Sequence, residues 1–93
     1  MEDPVIRFRN EVSKLKTGEK HVYYQGHLAS AISSSPTLNV VRILATGLYM
    51  LGKAELLQTR IIGGTEYAIR MRQPIHPADF DRGRKLWLQS QVV

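Results

Sequence analysis

The chain contains no cysteine. It therefore forms no disulfide, offers no thiolate and cannot build a cysteine-ligated zinc site. Histidine is scarce: His21, His27 and His76 are the only three. None stands at His-x3-His spacing, and no carboxylate cluster completes a ligand set around them, so neither a metal nor another cofactor is expected. No apolar run approaches the roughly 18 residues of a membrane-spanning helix. The opening Met1–Val5 is acidic and lacks an apolar stretch, so no signal peptide is expected and a cytoplasmic location is. Internal repeats and low-complexity tracts are absent, the run Ser33–Ser35 being too short to count.

Catalytic signatures are missing as well. Ser33, Ser34 and Ser35 have no Gly-x-Ser-x-Gly context. Gly63-Gly64 is not followed by Lys-Ser/Thr, so it is no phosphate loop. Asp79 and Asp81, near His76, read as the acidic first turn of a helix. The chain is not expected to be an enzyme. Acidic residues are few: 8 Asp+Glu stand against 13 Lys+Arg, a net charge of +5. This excess favours a polyanionic or acidic partner, or simply keeps an ordinary basic domain in solution.

What is present is a chain of 93 residues with 43% hydrophobic composition, enough for one domain with a small core (1–93, with 74–93 as a C-terminal extension). Residues 4–16 read as a helix. Asp3 caps it, Pro4 opens it, and Val5, Phe8, Val12 and Leu15 share a face; Gly18 is the expected stop. Residues 20–25 are aromatic and β-branched, and read as a short strand. Residues 27–33 suit a short helix, with Leu28 and Ile32 one turn apart. Ser33–Thr37 reads as a turn in which Thr37 caps the next helix.

Residues 38–52 carry the strongest helical pattern. Leu38, Val41, Leu44, Ala45, Leu48 and Leu51 trace one face, and Val40, Ile43 and Met50 widen it. Asn39, Arg42, Thr46, Tyr49 and Lys53 form a narrow polar stripe. Gly47 weakens the helix by about 1 kcal/mol relative to alanine, so close packing is expected there. Residues 78–90 suit a last helix with Phe80, Leu86, Trp87 and Leu88 as its apolar members, Arg82, Arg84 and Lys85 outside, and Gly83 as a weak point.

Between these helices, two strand-like runs flank Gly63-Gly64, a strong hairpin signal. A two-residue loop at Gly63-Gly64 sets Gln58 opposite Ile69 and mixes the faces. A three-residue loop, Gly63–Thr65, pairs Leu57 with Met71, Thr59 with Ile69 and Ile61 with Tyr67. The second register is expected, because it leaves one apolar face and one polar face of Gln58, Arg60, Arg70 and Arg72. The whole is an α+β order of winged-helix type: helix, short strand, helix-turn-helix, β-hairpin and a C-terminal helical extension.

The residues Gly26-His27-Leu28-Ala29, then Gly52-x4-Leu57-Gln58-x-Arg60, then Tyr67-Ala68-x-Arg70 resemble small proteins carried by bacteriophages and prophages. The resemblance covers about residues 12–72. It implies a phage-encoded accessory or regulatory protein of winged-helix type and brings no catalytic residue with it.

Two functions follow as expectations. In the first, the chain is a homodimeric DNA-binding transcriptional regulator. Asn39, Arg42, Thr46 and Lys53 lie in or near the major groove, where Arg reads guanine and Asn reads adenine; Gln58, Arg60, Arg70 and Arg72 on the hairpin hold the backbone or minor groove. Against this, the wide apolar arc of the long helix also suits a helix central to the domain or half of a dimer interface. In the second, the chain binds and inhibits a host protein, its basic face docking on an acidic surface with Tyr49, Met50 or Trp87 as anchors. A third possibility is assembly through Phe80–Leu88. The aromatic residues Tyr23, Tyr24, Tyr67 and Trp87 read as core rather than as base-stacking platforms, since no ribonucleoprotein-type aromatic run accompanies them.

Overall fold

A computed structural model describes residues 3–91. Met1, Glu2, Val92 and Val93, the ends of the expected single domain, lie outside the described residues. The elements are α1 (Pro4–Ser13), β1 (Lys20–Gly26), α2 (Leu28–Ser34), α3 (Pro36–Met50), β2 (Ala54–Ile61), β3 (Gly64–Met71) and α4 (Ala78–Ser90). The three strands form one antiparallel sheet in the order β1-β3-β2. The fold is thus mixed α+β, as the sequence pattern implies.

The start of α1 is as expected: the Asp3 carboxylate accepts from the Val5 amide at 2.7 Å, and Pro4 stands at the first helical position. The helix ends at Ser13, short of residue 16 and well before Gly18. Two bonds pull the chain away early. Glu19 Oε1 accepts from the Lys16 amide at 2.7 Å, and the Gly18 amide donates to the Met71 carbonyl at 2.7 Å, tying the turn to the end of β3.

The α2–α3 joint is tighter than the sequence suggests. Ser33 and Ser34 belong to α2, their hydroxyls donating back to the carbonyls of Ala29 and Ala31. The cap of α3 is Ser35, not Thr37. Its Oγ accepts from the Leu38 amide at 3.2 Å. Pro36 decides this, because proline is favoured at the first helical position and the residue before it must then be the cap. Only Ser35 separates the two helices.

The hairpin register differs from both pairings that the sequence suggests. Ile61 faces Gly64, so the loop is Ile62-Gly63, and Leu56 pairs with Ile69, Gln58 with Tyr67 and Arg60 with Thr65. Residues directly opposite share a face. Ala54, Leu56, Ile69 and Met71 therefore look toward the helices, where Ala54, Ile69 and Met71 are in the core. Glu55, Leu57, Ala68 and Arg70 look the other way. Two features account for the register. Gly64 adopts φ 156°, and a Cβ there would stand 2.8 Å from the Gly26 backbone, so β1 abuts β3 at a point only glycine allows. Beyond Leu57, moreover, Gln58, Thr59 and Arg60 are all exposed. The hairpin outruns the core there, and no apolar face selects the register.

Strand β1 carries an irregularity between Val22 and Tyr24. The extra residue sends two successive rings, Tyr23 and Tyr24, to the same neighbour, Tyr67, at centroid distances of 6.5 and 6.3 Å. Simple alternation would forbid this.

The core gathers Phe8 and Val12 of α1, Val41, Leu44, Ala45 and Leu48 of α3, the sheet residues above, and Phe80 of α4. Helix α3 is its centre, touching α1, α2, α4 and β2. Against α4 the approach is closest. A Cβ on Gly47 would lie 2.5 Å from the Gly83 carbonyl carbon, and one on Gly83 2.6 Å from that of Gly47. The two glycines that weaken their own helices thus let the two backbones meet. Replacing either by alanine is expected to destabilise the fold by about 1–3 kcal/mol net, although alanine is the better helix former. Urea unfolding of Gly47→Ala and Gly83→Ala measures this. Unchanged or raised stability in both would contradict the contact.

Candidate nucleic-acid interface

The polar stripe of α3 is where the sequence places base contacts, and the structure gives those side chains other work. Arg42 donates from Nε and Nη2 to Asn39 Oδ1 at 3.2 and 2.9 Å. Its guanidinium lies 5.9 Å from the centre of the Trp87 ring on α4. Thr46 Oγ1 donates to the Arg42 carbonyl at 2.8 Å. All three residues are half-buried. Asn39, Arg42 and Thr46 are therefore brought together, as expected, but as a bonded set against α4. The most exposed residues of α3 are Pro36, Val40, Tyr49 and Met50, none of them basic.

Lys53, the last residue of the expected stripe, follows α3 and is engaged by the start of α4. Its Nζ is 3.3 Å from Gln73 Oε1 and 4.0 Å from Asp79 Oδ2. Asp79 is 2% exposed. It also accepts from the His76 amide at 2.9 Å and from Arg82 Nη1 at 3.0 Å. A buried carboxylate needs such partners. They anchor the first turn of α4 and fasten it to the residues on either side of the hairpin.

The hairpin cations do not form one face. Arg60 shares its face with Gln58, Tyr67 and Thr65, and Arg70 lies on the opposite face, paired with Glu55. Arg70 Nη2 donates to Glu55 Oε2 at 2.8 Å. That hydrogen bond, and then the charge behind it, holds the Glu55 carboxyl below its ordinary range, so at neutral pH the pair is formed. Arg72 is exposed beyond β3, its amide donating to the Lys53 carbonyl. The expected polar face of Gln58, Arg60, Arg70 and Arg72 is split by the register change. Arg60 remains near the tip with no ion-pair partner among the described residues, beside a fully exposed Ile62.

Ile62 goes unrecognised in the sequence. Its signal is the second glycine of Gly63-Gly64, which belongs to β3 and leaves Ile62 to make the turn. Cations also stand elsewhere. Arg7, Lys14 and Lys16 near α1, with Arg84 and Lys85 on α4, are exposed and in no ion pair among the described residues. Trp87 is half-buried rather than free as an anchor, and Phe80 is consumed in the chain's own core. Among the described residues, no helix is long and apolar enough to cross a membrane.

Arg42→Ala is expected to lower stability by about 1–2 kcal/mol through lost hydrogen bonds and ring contact. It should also shift the emission of Trp87, the only tryptophan in the chain. Urea unfolding followed by that fluorescence reads both. Unchanged stability and emission would release Arg42 from α4 and return it to the groove-facing role.

No family model, no curated protein and no solved structure matches this chain.

Proposed function

We propose that this chain is a winged-helix DNA-binding regulator of phage or prophage type, acting as a homodimer, with the β2–β3 hairpin as its wing. The order α1-β1-α2-α3-β2-β3 and the sheet order β1-β3-β2 support the winged-helix reading. The one-residue α2–α3 joint departs from the three to four residues usual in a helix-turn-helix. The observation that carries the reading is the hairpin end. Gln58, Thr59 and Arg60 run out past the core to an Ile62 that is entirely in solvent.

Such a tip suits a phosphate contact from Arg60 and an apolar contact from Ile62 in a groove. Backbone affinity then comes from Arg60 at the wing and from the net charge of +5. Base reading by Asn39 and Arg42 would require Arg42 to leave Trp87. The wing, rather than the α3 stripe, therefore takes the larger part in binding, and binding depends only weakly on sequence.

A second reading has its own support. Tyr49 is 56% exposed and Met50 38%, side by side at the end of α3. Aromatic and methionine side chains are favoured anchors in protein interfaces. On this reading the chain docks on and inhibits a host protein, and the basic surface selects an acidic partner.

Fluorescence anisotropy with random-sequence duplex, from about 50 to 200 mM salt, separates the two. Arg60→Ala should weaken binding to every sequence and reduce the log–log salt slope by about 0.9. Arg70→Ala should leave the slope nearly unchanged, because Glu55 already holds that charge. Equal effects of the two substitutions would contradict the wing geometry. Absence of binding even at the lowest salt would exclude the DNA reading and leave the protein partner.

A further inference from the structure

An open cleft of about 720 Å³ lies between the first half of α1, strand β1 and the α2–α3 joint. It is separate from the hairpin tip and from the α3–α4 contact. Its size is within the range of small-molecule sites, roughly 300–1,000 Å³. Tyr23, Tyr24 and Leu38, all half-buried, supply the accessible apolar surface over a floor of buried Phe8 and Val41, and Arg7 and His21 stand among them. Phe8 meets Tyr23 edge-to-face at 5.8 Å and His21 at 6.2 Å, so the rings hold each other in place.

Three polar groups there have no evident employment within the protein. Among the described residues, the side chains of His21, Tyr23 and Tyr24 make no hydrogen bond, although the same region satisfies Ser34 and Ser35. Arg7 is exposed and forms no ion pair among the described residues. Among the described residues, no carboxylate lines the cleft.

The charge around the imidazole is defined by its neighbours. Burial pushes the His21 pKa below its ordinary value; Glu11 on α1 opposes this and Arg7 adds to it. His21 is therefore neutral at pH 7, with one nitrogen to donate and one to accept. Burial raises the Tyr23 hydroxyl, helped by Tyr67, so it stays protonated as a donor. The lining thus offers one fixed positive charge, several neutral donors and a wall of ring edges.

We infer that this cleft binds a small planar aromatic carboxylate, its ring against Tyr23 and Tyr24 and its carboxylate on Arg7. The ligand bridges α1, β1 and the α2–α3 joint. It would restrain α2, a helix of seven residues whose buried residue is Leu28. Such binding does not depend on the wing binding DNA.

The test uses the full chain, labelled with ¹⁵N, and two probes of nearly equal shape: indole-3-acetate and the neutral indole-3-acetamide. Titration followed by amide chemical shifts should move His21, Ala31 and Leu38. The acetate should bind with a dissociation constant of about 1 mM or tighter, as its size allows. The acetamide should bind about fivefold more weakly, the effect of one exposed charge pair. Arg7→Gln should bring the acetate to the acetamide's affinity. Ser34→Trp, a change at an exposed position on the rim, should block both probes. Dispersed spectra of both variants confirm that they fold. Equal affinity of the two probes for the unmodified chain, shifts confined to another surface, or no shift at about 10 mM would each overturn the assignment.

Discussion

The approach of α3 to α4 at Gly47 and Gly83 is the constraint on which the rest of the structure depends. Neither backbone could come so near with a side chain between them. Once it is made, α4 lies along α3, Phe80 enters the core, and Trp87 comes under the Arg42 guanidinium. The buried Asp79 secures the same arrangement from the other end of α4, through the His76 amide, Arg82 and Lys53. The part of the polar side of α3 that carries Asn39, Arg42 and Thr46 is thereby half-buried against α4, while Tyr49 at its end stays exposed.

This contact separates what is legible in the sequence from what is not. Each helix is visible because its apolar residues recur at helical spacing, and Asp3-Pro4 marks a start without ambiguity. Residues 78–90 match α4 at both ends. Gly47 is readable as a packing site, but its partner is not. Gly83 looks like a flaw in a weak helix, and only its position opposite Gly47 makes sense of it. Arg42 and Asn39 look like a free pair because periodicity describes one helix at a time. Nothing in the spacing of α3 says that Trp87, 45 positions later, will cover part of the stripe.

The hairpin illustrates a different limit. Its existence follows from Gly63-Gly64, yet its register does not follow from seeking one clean apolar face. That rule assumes a sheet buried along its whole length. In this chain a third strand joins β3, a glycine contact with Gly26 positions Gly64, and the distal half of β2 leaves the core. The consequence is electrostatic. Arg60 and Arg70 fall on opposite faces, and one of them is already held by Glu55. The net positive charge is therefore dispersed over the hairpin, α1 and α4. The aromatic cleft beside β1 is equally hidden. Tyr23 and Tyr24 converge on Tyr67 only because the strand is irregular at Tyr23, and Arg7 reaches the same cleft from α1.

Native-state hydrogen exchange of the α4 amides tests most directly whether α4 is part of the fold that encloses α3. The amides from Gly83 to Trp87 should exchange only in the same opening that releases the α3 amides of Leu44 to Leu48, with the same opening free energy and the same dependence on denaturant. Fast exchange throughout α4 while α3 stays protected would show α4 to be a detachable arm. The α3 stripe would then be free to meet a partner, and the enclosure of α3 by α4 would be contradicted.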